Sequence, residues 1–189
     1  MIGDSGGSIK TAFFRRPNRR PFDIPRHAYY SYPVDMEGVR FFSPGKEDIR
    51  PVSEGYVFDL GGRKLTVIET PGHTPGSICL LDVEHKLLFS GDVACPHVWL
   101  FLPESLPVST YVRSQEKLLA RRADFEIVYS AHGGPFKPAY LETLLVLAKR
   151  IMNGECAKVM PYKGAGFTAR SCFYNGALIA FAPDKLKDK

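Results

Sequence analysis

Glu69-Thr70-Pro71-Gly72-His73-Thr74-Pro75-Gly76-Ser77 directly follows an apolar, strand-like run, Lys64-Leu65-Thr66-Val67-Ile68. Pro and Gly in succession form turns, so Pro71-Gly72 and Pro75-Gly76 frame His73 on both sides. Two further segments repeat the arrangement. Phe89-Ser90-Gly91-Asp92 ends the run that begins at Lys86, and Tyr129-Ser130-Ala131-His132-Gly133-Gly134-Pro135 continues the run that begins at Phe125. Each places an imidazole or a carboxylate just past a strand. Those groups are natural zinc and iron ligands. Loops at the ends of rigid strands hold them at fixed positions and leave room for water. Each residue alone has a plainer reading: His73 and His132 as turn histidines, Asp92 as a helix cap or turn residue. The ordered set carries the weight.

Outward from these loops the periodicity is that of a sheet with flanking helices. Tyr56 to Leu60 and Lys64 to Glu69 around Gly61-Gly62 form a hairpin signature. Ser77 to Leu81 and Lys86 to Ser90 form a second strand pair, joined by Asp82-Val83-Glu84-His85. Residues 95–108, with Pro96, Pro103 and Pro107, read as a loop, and Ser109 or Thr110 as the cap of a helix bearing Leu118 and Leu119. Leu141, Leu144, Leu145, Leu147, Ala148 and Ile151 recur at helical spacing, which predicts a helix from Pro138 to Met152 ended by Asn153-Gly154. Late strands are expected near Ala157–Tyr162 and over Arg170–Ala182, the second turning at Asn175-Gly176. Toward the N-terminus, a helix start at Ser8–Phe14 and short strands at Val39–Phe42 and Asp48–Val52 are the candidates.

A chain of 189 residues with 44% apolar content reads as one globular domain. No apolar run approaches the ~20 residues needed to cross a bilayer. The first residues lack the basic start and apolar middle of a signal peptide, which leads to a cytoplasmic expectation. Cys79, Cys95, Cys156 and Cys172 lie far apart, without a CxxC pair. They are expected to be reduced and buried rather than to bind zinc. The net charge is +5, much of it from Lys10, Arg15, Arg16, Arg19, Arg20 and Arg26. A solvated face is the favoured reading of that run, so no nucleic-acid partner and no membrane partner are expected.

The three motifs, in this order, resemble the metallo-β-lactamase superfamily over roughly residues 56 to 150. The resemblance implies an α/β (α+β) fold, an αββα sandwich of mixed β-sheets flanked by helices. Residues 1–189 form the domain, with 1–35 as an irregular remnant of the metal-motif region. It implies that His73 binds a first metal, that Asp92 bridges two, and that His132 binds the second. Zinc is the expected cofactor, with iron or manganese as alternatives. The family's His-x-His-x-Asp-His cluster does not occur in these 189 residues. Asp4, in Gly3-Asp4-Ser5-Gly6-Gly7, matches that motif's aspartate, and Ser5 stands where its last histidine is expected. Asp4 and Asp92 are therefore the catalytic candidates, and the fold is expected to be N-terminally truncated.

The function implied is metal-assisted hydrolysis of an ester or thioester in a small-molecule substrate, with an incomplete metal site and weak or no turnover. The alternative is a non-catalytic family member that binds a ligand or partner. A half-built sheet exposes an apolar face and an edge, so a homo-oligomer or a covering partner chain is expected. His97 borders the site in this reading, while His27 and His85 have no motif around them and His85 is expected to be solvated. Trp99, Phe101 and Leu102 form either an apolar substrate wall or ordinary packing.

Overall fold

The computed structural model describes residues 50–188. Asp4, the Ser8–Phe14 helix start, Val39–Phe42, most of Asp48–Val52 and His27 lie outside them. Strands β1 (Val57–Asp59) and β2 (Lys64–Glu69) form the expected hairpin across Gly61-Gly62. β3 (Ile78–Asp82) and β4 (Leu87–Gly91) form the second. β6 (Ile127–Ser130) lies parallel to β4, which completes a five-stranded sheet of order β1-β2-β3-β4-β6. A second sheet has the order β5-β9-β8-β7, with β5 (His97–Leu100), β7 (Val159–Gly164), β8 (Phe167–Tyr174) and β9 (Ala177–Phe181).

Register explains which residues enter the core. Thr66, Leu81, Leu88 and Val128 are consecutive partners across β2, β3, β4 and β6. Side chains alternate faces along a strand, so this row shares one face, and its three apolar members are fully buried. The neighbouring row, Val67, Leu80, Phe89 and Tyr129, lies on the opposite face. There Phe89 and Tyr129 stack at 5.7 Å, and Tyr129 is exposed.

Helices α1 (Val108–Ala120) and α2 (Ala139–Asn153) pack into one continuous cluster that also takes in Val98 and Leu100 of β5 and Ile179 of β9. The stripe read from the sequence is the buried face of α2: Leu141, Leu144, Leu147, Ala148 and Ile151. Each fully buried leucine contributes roughly 1.5–3 kcal/mol relative to exposure. Gly154, at φ 73°, ends α2 as expected, with Glu155 N donating to Arg150 O at 2.8 Å. Among the described residues no helix is long and apolar enough to cross a membrane.

Four expectations need correction. The 95–108 segment is not all loop, because His97–Leu100 pairs in parallel with Leu178–Phe181. A parallel partner far along the chain leaves no local turn signal. Ser109 and Thr110 do not cap α1, which begins at Val108 after Pro107. The backbone N–H groups of Val108 and Ser109 instead donate to the carbonyls of Lys185 and Leu186, and both hydroxyls bond the Asp188 carboxylate. The strand expected from Arg170 starts earlier, at Phe167, after a turn through Ala165 and Gly166 at φ 48° and 80°. Asn175-Gly176 does form the tight turn inside that segment, at φ 48° and 85°. Finally, Cys156 and Cys172 form a disulfide, while Cys79 and Cys95 are free and buried. Their Cα atoms are 6.2 Å apart because the end of α2 returns beside β8, a proximity that their 16-residue separation does not reveal.

Candidate metal centre

His73 sits in the loop that follows β2, and that loop is closed by its own polar atoms. Thr70 N donates to Ser77 O at 2.9 Å, Thr74 N donates to Ser77 Oγ at 3.1 Å, and the Thr74 and Ser77 hydroxyls lie 2.8 Å apart. Gly72 is required by close approach: a Cβ there would lie 3.0 Å from Tyr111 Cβ and Cδ2. The loop therefore seats directly on α1, and Ser114 Oγ adds a 2.6 Å bond to Pro71 O. From the other side, residues 99–106 hold it three times. Leu106 N donates to Gly72 O at 2.9 Å, Ser105 Oγ donates to His73 O at 2.9 Å, and Trp99 O accepts from His73 Nδ1 at 2.7 Å.

Asp92 follows Gly91, whose φ of 53° lies in the left-handed region that favours glycine. This conformation turns the chain sharply at the end of β4. Ser90, fully buried, donates its hydroxyl to Tyr129 O at 3.2 Å and so couples β4 to β6. Ala131 N then donates to Gly91 O at 3.0 Å, which brings the loop after β6, with His132, beside Asp92. Ser130 Oγ closes that loop onto His132 O at 2.8 Å and Gly133 O at 3.0 Å.

The three side chains meet at one carboxylate. His73 Nε2 lies 3.6 Å from Asp92 Oδ2, and His132 Nε2 lies 3.3 Å from Asp92 Oδ1. Each oxygen thus faces a different imidazole. His73 is 15% exposed, Asp92 40% and His132 75%, so His73 is the anchored side of the site and His132 the open side. A carbonyl only accepts, so the bond to Trp99 O puts the proton of a neutral His73 ring on Nδ1 and leaves a lone pair on Nε2. That lone pair points at carboxylate lone pairs, an arrangement that calls for a cation between them or for a protonated ring. The donor chemistry fits a divalent metal, and the Trp99 carbonyl is the kind of outer partner that orients a ligating imidazole. Among the described residues no three His, Cys, Asp or Glu side chains close into a single cage. The arrangement is two pairs that share Asp92.

The remaining candidates are sorted by their surroundings. Cys95 Sγ contacts Asp92 O at 3.7 Å and His97 O at 3.3 Å, but burial pushes its thiol up to about 11. Burial likewise raises Cys79 to about 12. In both, burial disfavours the thiolate. His97 projects from β5 edge-on to Tyr162, with ring centroids 5.4 Å apart, and makes no ion pair with Asp92. His85 is exposed as expected yet tied down, with its Nδ1 3.0 Å from Asp82 Oδ1. Burial alone would raise the Asp82 carboxyl. The bonds from His85 and the Arg63 guanidinium, 2.9 Å away, outweigh burial and hold it below its ordinary value.

Trp99, Phe101 and Leu102 divide between the two readings given to them. Phe101 and Leu102 are buried with Ala169 and Ala180, which is packing. Trp99 is only partly buried, and its backbone carries the His73 contact. Tyr162, which sequence reasoning missed, completes the aromatic group at 5.4 Å from Phe101 and 6.4 Å from Trp99. Gly164 belongs to it as well: a Cβ there would lie 3.0 Å from Tyr162 Cε1 and 3.4 Å from Trp99 Cζ2. Two strands, β8 and β9, separate these residues from β5 in the sheet, and no local motif marks them.

The chain is 42% identical over 122 residues to the acyl-coenzyme A thioesterase MBLAC2 of Gallus gallus, covering 63% of this chain and 43% of that one. It is 37% identical over 141 residues to the Homo sapiens protein of the same name, covering 68% and 50% respectively. The chain spans about half the length of the curated relatives it matches. A solved metallo-beta-lactamase family protein from Thermus thermophilus superposes with a TM-score of 0.48 at 22% identity, over 55% of this chain and 36% of that one. A family model described as the metallo-beta-lactamase superfamily matches residues 9–132. The chain belongs to the metallo-beta-lactamase superfamily.

Proposed function

We propose that this chain carries part of the metal site of a thioester hydrolase, with His73, Asp92 and His132 as metal ligands and Asp92 shared between two metal positions. The observation that carries the reading is the division of the Asp92 carboxylate, with one oxygen toward each imidazole Nε2. The relatives named acyl-coenzyme A thioesterase support thioesters as the substrate class. Zinc is the proposed metal, because imidazole and carboxylate donors suit it. When bound, it supplies a water of lowered pKa and polarises the substrate carbonyl. The chain's own residues hold this site in place: Trp99 O orients His73, and the Gly91 turn aims Asp92 between the two rings.

The donor set is proposed to be incomplete, since no His-x-His-x-Asp-His cluster occurs in these 189 residues. Asp4 is the proposed further catalytic carboxylate. Turnover by this chain is accordingly expected to be slow. A homo-oligomer is proposed with it, a second copy covering the Phe89 and Tyr129 face; a monodisperse monomer in light scattering would count against that.

Free thiol released from an acyl-coenzyme A in the presence of zinc tests the function. Slow release that disappears with chelator and in Asp92→Ala is expected. Release no faster than that of Asp92→Ala would sink the hydrolase reading and favour a ligand-binding role.

A further inference from the structure

The segment after β9 crosses the N-terminal end of α1 and reaches the loop that holds His73. Its backbone caps the helix, as described, through the carbonyls of Lys185 and Leu186. Asp188 strengthens the same contact: its carboxylate accepts from Ser109 Oγ at 3.0 Å, Thr110 Oγ1 at 2.9 Å and Arg113 Nη1 at 2.6 Å. The strap is thereby fixed to α1 on one side. On the other side Lys185 extends its ammonium group over residues 102–105.

A lysine ammonium has three donors. At Lys185 all three are used on backbone carbonyls of one short turn: Leu102 O at 3.1 Å, Pro103 O at 2.8 Å and Ser105 O at 3.0 Å. Charge-assisted bonds of this kind are roughly twice as strong as neutral ones. Three on one group fix the orientation of the turn as well as its position. Ser105 N also donates back to Leu102 O at 2.9 Å, so the turn is closed on itself. The next link is direct. Ser105, only 3% exposed, donates its hydroxyl to His73 O, and Leu106 N donates to Gly72 O.

We propose that Lys185 is a positioning residue for His73, acting through the 102–105 turn; the inference rests on the reading of His73 as a metal ligand. The strap converts the fixed end of α1 into a fixed position of the His73 backbone, the position from which its ring reaches Trp99 O. His132 provides an internal contrast, because its loop is tied to Gly91 and Ser130 and not to residues 99–106.

The test uses Lys185→Met, which keeps most of the aliphatic stem and removes the donors, on the full chain labelled at its histidine ring nitrogens. In the metal-free protein, long-range nitrogen–proton correlation spectra report the tautomer of each imidazole. The unsubstituted chain is expected to show His73 with its proton on Nδ1. Lys185→Met is expected to mix the two tautomers at His73 while leaving His132 unchanged, and to weaken zinc binding roughly tenfold in competition with a chromophoric chelator. An unaltered His73 signal in a folded Lys185→Met chain overturns the proposal, as does an equal disturbance of His73 and His132. If the unsubstituted chain binds no zinc, the metal reading of the site fails and the His73 signal alone decides the positioning role. Lys185→Gln, whose shorter amide cannot donate to all three carbonyls, replaces Lys185→Met if that chain does not fold; a smaller disturbance confined to His73 is then expected, and an equal disturbance of His73 and His132 overturns the proposal.

Discussion

Gly72→Ala adds a single methyl group at the point where the His73 loop meets α1. That carbon would lie 3.0 Å from Tyr111 Cβ and Cδ2 and 3.1 Å from Tyr111 Cα. Two of these atoms belong to or adjoin the helix backbone and cannot rotate away. The ring is also pinned, since Tyr111 is fully buried and its hydroxyl donates to Val93 O at 2.9 Å. Relief requires the loop to lift from α1 or the helix to shift in a packed core. Overpacking of this kind typically costs about 1–3 kcal/mol, and contact with helix backbone places this case near about 2–3 kcal/mol. For a chain of this size that corresponds to a fall in Tm of roughly 5–10 °C. Thermal and urea unfolding of the metal-free chain measure it, with the urea slope expected to be unchanged. Zinc affinity should fall as well, because Gly72 O is one of the attachment points of the 99–106 segment. A Tm drop below about 2 °C would refute the claim that the loop is seated on α1 by close contact.

Leu144→Ala removes a fully buried side chain of α2 and is expected to cost about 2–5 kcal/mol in urea unfolding, leaving a cavity between the helices and the sheets. Reduction of Cys156–Cys172, or Cys172→Ser, is expected to lower stability by about 3 kcal/mol, the chain-entropy contribution of a loop of this length; equal Tm values with and without reductant would count against the bond. The Arg113 guanidinium, with the Thr110 and Ser109 hydroxyls, holds the Asp188 carboxyl at about 2 instead of 3.8. A depressed carboxyl contributes stability that is complete above its unfolded value and is lost as pH falls through its folded value. The strap should therefore loosen between pH 3.8 and about 2, and Asp188→Asn should flatten that part of the acid-unfolding curve. Half exposure of both partners keeps the effect small.

The parts of the fold that could be read from the sequence are those specified locally. Gly61-Gly62, Asn175-Gly176 and Asn153-Gly154 need left-handed backbone at the positions where the chain turns or the helix ends, and alternation or helical spacing fills the runs between them. The three strand-end loops are local in the same sense. Pro71-Gly72, Gly91 and Gly133-Gly134 bend the chain just after a strand, so His73, Asp92 and His132 could each be named before their meeting point was known. What stayed hidden depends on partners distant in the chain. β5 exists because β9 runs beside it, and prolines on either side made His97–Leu100 look like loop. Ser109 and Thr110 have the chemistry of caps, but the groups that cap α1 arrive from residues 185 to 188. The turn into β8 uses Ala165 in the left-handed region, a residue type that gives no such signal. Cys156 and Cys172 meet only once α2 is packed against β8. Tyr162 and Gly164 join Trp99 although two strands separate them in the sheet.

Zinc content of the purified chain, measured by elemental mass spectrometry beside Asp92→Ala, tests most directly whether Asp92 holds metal together with His73 on one side and His132 on the other. The account expects zinc to copurify with the unsubstituted chain and to be lost from a folded Asp92→Ala chain, with His73→Ala and His132→Ala each reducing it. Zinc absent from the unsubstituted chain, or retained unchanged in Asp92→Ala, would contradict the account.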